Sequence, residues 1–217
     1  MRPLQNLPAL RLSILVAVLV LAVSGCGSAA APSGDRVPSS PSTMAAPPSA
    51  VPAAEGEVTG QGTVLQVSEQ TPVLCLGPVR ESFPPQCDGI PLVGWDWESA
   101  GVQDEAGDGE TRTRWGTYAV TGDFDGRTLA VTGAVPLALY DIAASPSPRP
   151  VAPPALTDDQ WVAVEAAVAA LPGVLTVVRE APTGPVHVTL IHDDGTLADW
   201  AVGAFGAGAV LVTSALR

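Results

Sequence analysis

Two proline-rich segments divide this chain and limit the size of whatever folds between them. Residues 26–57 and residues 143–155 are rich in proline, alanine and serine and contain no aromatic residue. Such segments bury too little apolar surface to form a core, so we predict that both are disordered linkers. They leave residues 58–142 and residues 156–217 as two small segments. Because small domains bury a limited fraction of their surface, each segment is expected to need a cross-link or the support of the other.

The first 25 residues have the composition of an export signal. Arg2 and Arg11 supply positive charge, and residues 14–23 form an apolar run that is too short to span a bilayer. Ser24 and Gly25 are the small residues that precede a cleavage site. We therefore predict that residues 1–25 are a signal peptide.

The sequence Val23-Ser24-Gly25-Cys26 resembles the lipobox of bacterial lipoproteins. The resemblance implies that Cys26 receives a diacylglyceryl group and becomes the acylated first residue of the mature chain. Acyl chains contribute ~0.8 kcal/mol per buried CH₂ group, so several of them hold a protein on a membrane without a spanning helix. We therefore expect lipid anchoring at the extracytoplasmic face of the cell membrane. An ordinary secretory signal and an uncleaved membrane anchor are the alternatives.

The charge of the predicted mature chain excludes some partners. Without residues 1–25, eight arginines stand against 22 acidic residues, a formal charge of −14. Nucleic acid is not an expected partner, because phosphate binding needs a basic surface. Charge attraction to anionic lipid is excluded for the same reason, which leaves the acyl chains as the means of attachment. The absence of lysine and the abundance of alanine, glycine, proline and valine indicate a GC-rich, actinobacterium-like genome.

Residues 58–142 have the pattern of a small all-β domain. The alternation of residues 62–67 predicts a strand, and residues 113–121 and 127–132 flank a Gly/Asp-rich turn that predicts a hairpin. We expect an OB-like barrel or a sandwich. The acidic residues between positions 99 and 112 have irregular spacing, so we predict a mobile loop rather than a calcium site. Further short strands are predicted at residues 72–76, 90–93 and 137–140.

Four short motifs in this segment resemble an uncharacterised type of actinobacterial lipoprotein domain. The resemblance implies a small barrel comparable with the OB-like architecture and implies no activity. The motifs are Val64-Leu65, Cys75-Leu76-Gly77-Pro78, Pro84-Pro85-Gln86-Cys87 and Gly94-Trp95-Asp96-Trp97.

Cys75 and Cys87 are the two cysteines that remain after lipidation of Cys26. In an oxidising compartment they are expected to form a disulfide that contributes roughly 3 kcal/mol. A redox or metal-binding pair is the alternative, although the spacing matches neither a C-x-x-C motif nor a zinc knuckle.

Trp95 and Trp97 are candidate ligand-binding residues. If residues 94–98 form a strand, both indoles lie on the same face, where they provide a platform for a sugar or a peptide. The alternative is that both fill the core of a small domain. The sequence leaves both interpretations open.

Residues 156–217 predict an α+β domain of order αββαβ, which is half of a ferredoxin-like fold. Thr157 and Gln160 have the spacing of a capping box at the start of the first helix. The strand–helix–strand part predicts a parallel crossover, with both helices on one face of a three-stranded sheet. We expect the first domain or a partner to cover the other face. The predicted strands are residues 174–180, 185–192 and 209–214, and the second helix is residues 196–205.

The candidate catalytic residues are few. His187 and His192 are five residues apart on a predicted strand, so their side chains are expected on opposite faces. His192 with Asp193 and Asp194 is the nearest approach to a site. There is no nucleophile elbow, phosphate-binding loop or lysine. We therefore predict a non-enzymatic binding or adaptor module of the cell envelope, without metal or cofactor, whose partner is an envelope protein or a wall component. The alternative is a hydrolase or metal-dependent enzyme that uses His192 and nearby acids.

Overall fold

The computed structural model describes residues 46–141 and residues 151–217, except Glu180 and Thr183. The predicted signal peptide, Cys26 and most of both predicted linkers lie outside the described residues. Residues 43–217 form one compact unit, and its described residues have a mixed, mostly β fold of two sheets and three α-helices. The elements of the first sheet and its helix are β1 Glu57–Val67, β2 Val73–Cys75, β3 Ile90–Val93, α1 Trp97–Ala100, β4 Asp104–Ala106, β5 Thr113–Phe124 and β6 Leu129–Pro136. The elements that follow are α2 Asp158–Ala169, β7 Val174–Arg179, β8 Val186–Leu190, α3 Thr196–Phe205 and β9 Val210–Ser214.

The first sheet closes on itself. Its strand order is β1-β2-β3-β6-β5-β4, and β1 also pairs with β5 along its whole length. The pairs are antiparallel except β3 with β6. The ring of strands encloses a hydrophobic core whose most deeply buried members include Val64, Leu74, Tyr118, Val120 and Leu129.

The predicted hairpin is confirmed as β5 and β6. Its turn is held by Asp125, whose carboxylate accepts hydrogen bonds from the backbone N–H groups of Arg127 and Thr128 and from the Thr128 hydroxyl. Gly126 follows with a φ of 93°, a conformation that glycine adopts without strain. These hydrogen bonds, led by the Thr128 backbone N–H, lower the pKa of Asp125.

Two predictions in this part of the chain are wrong. Residues 137–140 were expected to form a strand, but residues Leu137–Leu139 form a 3₁₀ helix after the proline that ends β6. The acidic segment predicted as a loop contains β4, in which Asp104 pairs with Trp115 of β5. The Gln103 side chain reinforces this pairing, because it accepts from the N–H of Thr117 and donates to its carbonyl.

The second sheet has the predicted order of elements. Its strand order is β7-β8-β9, with β7 and β8 antiparallel and β8 and β9 parallel. The capping box is confirmed, because Thr157 accepts from the Gln160 N–H while the Gln160 side chain accepts from the Thr157 N–H. Both helices contribute to the core on one face of the sheet, which includes Trp161, Val164 and Val168 of α2, Leu197 and Ala201 of α3, and Val186, Val188 and Leu190 of β8.

The opposite face of this sheet is open at its centre. Val178, His187 and Leu211 are neighbours across the three strands on that face. Val178 is 51% exposed, and His187 is exposed. Within the described part of the chain, the first sheet therefore leaves this face accessible at Val178 and His187.

The two sheets are joined by the residues after β9. The N–H groups of Ala215 and Leu216 donate to the carbonyls of Leu190 and Ile191 at the end of β8. The Leu216 side chain is nevertheless fully buried in the core of the first sheet. The end of the first predicted linker packs on the first sheet, where the Ala54 N–H donates to the Phe124 carbonyl.

Candidate functional site

The Cys75–Cys87 disulfide is formed, as predicted. Cys75 is the last residue of β2, and the Cα atoms of the two cysteines are 5.9 Å apart. Between them the chain turns back on itself, with the Arg80 N–H donating to the Gln86 carbonyl at 2.8 Å. The disulfide therefore closes the connection between β2 and β3.

Trp97 is a core residue. Its side chain is 7% exposed, its Nε1–H donates to Gln66 Oε1, and the Arg114 guanidinium lies over the ring at 5.5 Å. The strand considered for residues 94–98 does not form, because β3 ends at Val93 and Trp97 begins α1.

Trp95 has a different environment from Trp97. Its indole is half-buried and lies edge-on to Trp97 at 5.3 Å and to Tyr118 at 5.0 Å between ring centroids. Its Nε1 atom is buried and has no hydrogen-bond partner among the described residues. An unpaired buried donor of this kind costs about 1–3 kcal/mol. The sequence alone does not distinguish Trp95 from Trp97, but in the structure Trp95 is the one of the two whose indole N–H has no partner.

A recess of about 210 Å³ lies beside Trp95. It lies between the turn that follows β3 and the middle of β6, which are brought together by the parallel pairing of Val93 with Ala130. A Cβ atom placed on Gly133 would have no atom within 4 Å, so this glycine leaves the recess open. The recess is lined by Gly94, Trp95, Asp96, Ser99, Ala100, Val131, Thr132, Gly133 and Ala134.

Among the described residues, Asp96 is the one charged side chain that lines this recess. Its carboxylate accepts hydrogen bonds from the N–H groups of Glu98 and Ser99 and from the Ser99 hydroxyl. The Ser99 hydroxyl is the main cause of the lowered pKa of Asp96. The carboxylate is therefore ionised at neutral pH, and most of its acceptor capacity is used within the turn.

The acids next to His192 cap a helix. Asp193 accepts from the N–H groups of Leu197 and Ala198, and Asp194 accepts from the Thr196 N–H. Hydrogen bonding, first from the Thr196 side chain, lowers the pKa of Asp194. Both carboxylates thereby satisfy the N–H groups at the start of α3.

The His192 ring is held between the two sheets. Its Nδ1 lies 3.1 Å from the Leu216 carbonyl oxygen, and its ring is edge-on to Phe124 at 6.1 Å. His187 lies apart from it, on the open face of the second sheet. In residues 46–141 and the described part of residues 151–217, no three His, Cys, Asp or Glu side chains are grouped so as to hold a metal ion.

A larger recess of about 500 Å³ lies between α2 and the end of β7. Arg179 lines it, pairs with Glu165, donates to the Pro182 carbonyl and lies over the Trp161 ring at 5.9 Å. The guanidinium is therefore engaged in contacts that hold α2 on the sheet.

Sequence analysis missed two surface features. Phe83, in the loop closed by the disulfide, is 82% exposed and packs edge-on to Trp115 at 5.7 Å. The sequence does contain an indication of this feature, because Phe83 lies between two cysteines whose pairing fixes the loop. Nothing in the sequence marked Gly133 as part of a recess. Its lack of a side chain matters only because β3 lies beside β6 in the folded protein.

No protein-family model matches this chain, and comparisons with curated proteins and with solved structures find no match either. None of the helices within the described residues is both long and apolar enough to cross a membrane.

Proposed function

We propose that this protein is a membrane-anchored extracytoplasmic lipoprotein that acts as a non-enzymatic binding or adaptor module of the cell envelope. Support for the anchor is the lipobox-like sequence that ends at Cys26. Support for a binding role is the recess beside Trp95, where a half-buried aromatic side chain has an unused hydrogen-bond donor. This recess is the observation that carries the proposal, since binding sites combine apolar walls with a few polar groups.

We also propose that the first sheet is an OB-like barrel and the second a half of a ferredoxin-like layer. The support for the first is the ring β1-β2-β3-β6-β5, its parallel β3–β6 pair and the position of α1 between β3 and the later strands. The support for the second is the αββαβ order with two helices on one face. Barrels of the OB type bind their ligands on the outside of the barrel and in its loops, which suits a recess between a strand and a turn.

The surroundings of His192 favour the non-enzymatic role over a hydrolase. A general acid or base needs a free nitrogen or oxygen within reach of a substrate. The carboxylates of Asp193 and Asp194 instead accept hydrogen bonds from the backbone of α3. His192 Nδ1 lies against the Leu216 carbonyl, which engages one of the two ring nitrogens. The two acids that would assist His192 are therefore already engaged at the start of a helix.

Cell fractionation of the full chain tests the anchor. The Cys26→Ala variant should leave the membrane fraction, because it lacks the thiol that is acylated. The Cys75→Ser/Cys87→Ser double variant is the matched control and should stay in the membrane fraction. Retention of Cys26→Ala on the membrane would contradict the proposal.

Envelope extract tests the binding role. Residues 43–217, which contain both hydrophobic cores, are immobilised and washed with solubilised envelope. Retention of a defined protein or wall component by the wild type and its loss in Gly133→Leu is the expected result. Equal retention by both proteins, or retention of nothing, would contradict a binding role for the recess.

A further inference from the structure

The recess beside Trp95 offers both polar and apolar contacts to a guest. Trp95, Ala100 and Val131 give it apolar surface, while the Asp96 carboxylate and the Ser99 hydroxyl lie on its wall. Gly133 adds no side chain, so the space over this part of β6 stays open. A ligand in this recess can therefore contact both apolar and polar groups of the protein.

The unpaired indole N–H defines one requirement of the guest. Trp95 Nε1 can only donate, so its partner must supply a hydrogen-bond acceptor. The atom has almost no exposed surface in the free protein, so a ligand reaches it only if the half-buried indole rotates. Changes of side-chain rotamer are common on binding.

The charge of the recess defines a second requirement. An anion would lie beside the ionised Asp96 carboxylate, which repels it, and among the described residues no cationic side chain lines the recess. A cationic ammonium group has no acceptor to offer to Trp95 Nε1. The Asp96 carboxylate already accepts three hydrogen bonds, which leaves room for about one more donor from a guest. An uncharged hydroxyl group satisfies both residues, since it can donate to one and accept from the other.

We infer that this recess binds an uncharged sugar ring, with one hydroxyl accepting from Trp95 Nε1–H, another donating to Asp96, and the C–H face of the ring against the apolar wall. This inference rests on the proposed binding function and names the ligand class of its site. A tryptophan side chain combines a flat apolar ring with a polar N–H at its edge, which matches the C–H face and the hydroxyl edge of a sugar ring.

Titration of the compact unit, residues 43–217, with simple sugars tests the inference. The probes are glucose, galactose, arabinose and N-acetylglucosamine, each to about 10 mM, which detects binding with a Kd near 1 mM. The readout is the indole N–H resonance of Trp95 in nitrogen–proton spectra, with Trp161 of the other core as the internal reference. We expect a saturable shift of the Trp95 resonance with at least one neutral sugar and no shift of the Trp161 resonance.

Two variants separate the recess from other surfaces. Gly133→Leu adds a side chain at a residue that lines the recess and where a Cβ meets no atom within 4 Å, whereas Gly203→Leu makes the same change at an equally open position on α3. Gly133→Leu should abolish the titration, and Gly203→Leu should leave it unchanged. Trp95→Phe keeps an aromatic ring but removes the donor, and with it the observed resonance, so its binding is followed through the backbone N–H resonance of Gly133 in the same spectra. It should bind about tenfold more weakly than the wild type followed at the same resonance, the effect of one lost hydrogen bond.

Three results would overturn the inference: no saturable shift with any neutral sugar, equal titration of Gly133→Leu and wild type, or stronger binding of glucuronate or glucosamine than of the neutral sugars. None of these results affects the fractionation of Cys26→Ala or the retention of a protein partner from envelope extract. A failure of the sugar assignment is therefore distinguishable from a failure of the proposed function.

Discussion

The backbone groups of Thr59 and Arg217 pair with each other. The Thr59 N–H donates to the Arg217 carbonyl at 2.9 Å, and the Arg217 N–H donates to the Thr59 carbonyl at 3.2 Å. Through this pair, the residues after β9 lie along the edge of β1. They occupy a part of that edge that β2 does not pair with. Leu216 is held in the first core by these contacts, so the two sheets are expected to unfold together.

The Leu216→Ala variant tests this coupling. Removal of a fully buried leucine should lower the free energy of unfolding by about 3 kcal/mol, because it leaves a cavity. Leu139→Ala, at a side chain that is 77% exposed, is the control and should change stability by less than about 0.5 kcal/mol. Urea denaturation followed by fluorescence and by circular dichroism should give one coincident transition for the wild type. Two separate transitions would show that the sheets are independent.

The two neighbouring tryptophans should respond differently to the same substitution. Trp97→Phe loses the hydrogen bond to Gln66 and part of a buried ring, so it should lower the free energy of unfolding by about 2 kcal/mol. Trp95→Phe relieves the cost of an unpaired donor but also loses part of a half-buried ring, so the two effects oppose each other and stability should change by less than about 1 kcal/mol. Equal losses in urea denaturation would contradict the different roles assigned to these residues.

The disulfide should contribute stability without affecting membrane attachment. Replacement of both Cys75 and Cys87 by serine removes a cross-link of separation 12 and should lower the free energy of unfolding by about 3 kcal/mol. Thermal denaturation with and without a reducing agent measures the effect. Reductant should lower the wild-type midpoint and leave that of the double variant unchanged; a wild-type midpoint that does not respond would contradict the prediction.

The Asp125 turn should make stability depend on acid pH. The pKa of Asp125 is lowered in the folded protein from its ordinary value of 3.8, so the unfolded chain binds the proton more readily. The stabilisation is therefore complete above about pH 4 and is lost as the pH falls through the folded pKa. In urea denaturation between pH 2 and pH 6, Asp125→Asn should reduce this acid-dependent loss. Leu139→Ala, at an exposed side chain that does not titrate, is the control and should leave it unchanged, and equal effects would contradict the prediction.

Elements that depend on local chemistry were predictable from the sequence. The capping box at Thr157 and the Gly/Asp turn after β5 use residues within four positions of each other, so their patterns are complete in short windows. The disulfide was predictable because two cysteines in an oxidising compartment have one intramolecular partner each.

Elements that depend on distant pairing were not predictable. Asp104 and Glu105 have low strand propensity, and β4 exists because its backbone pairs with Trp115 and Arg114 of β5. The recess likewise depends on Trp95 and Gly133, which meet only because β3 lies parallel to β6. No local pattern in the sequence reports these arrangements.

The mass of the N-terminal peptide is the most direct test of the central proposal, which is that this binding module is anchored to the membrane through Cys26. The full chain is expressed with its own N-terminal segment, extracted from membranes and digested, and its first peptide is identified by mass spectrometry. The account predicts a peptide that begins at Cys26 and carries a diacylglyceryl group on its sulfur. A peptide that begins at another residue, or an unmodified Cys26 inside a longer peptide, would contradict it.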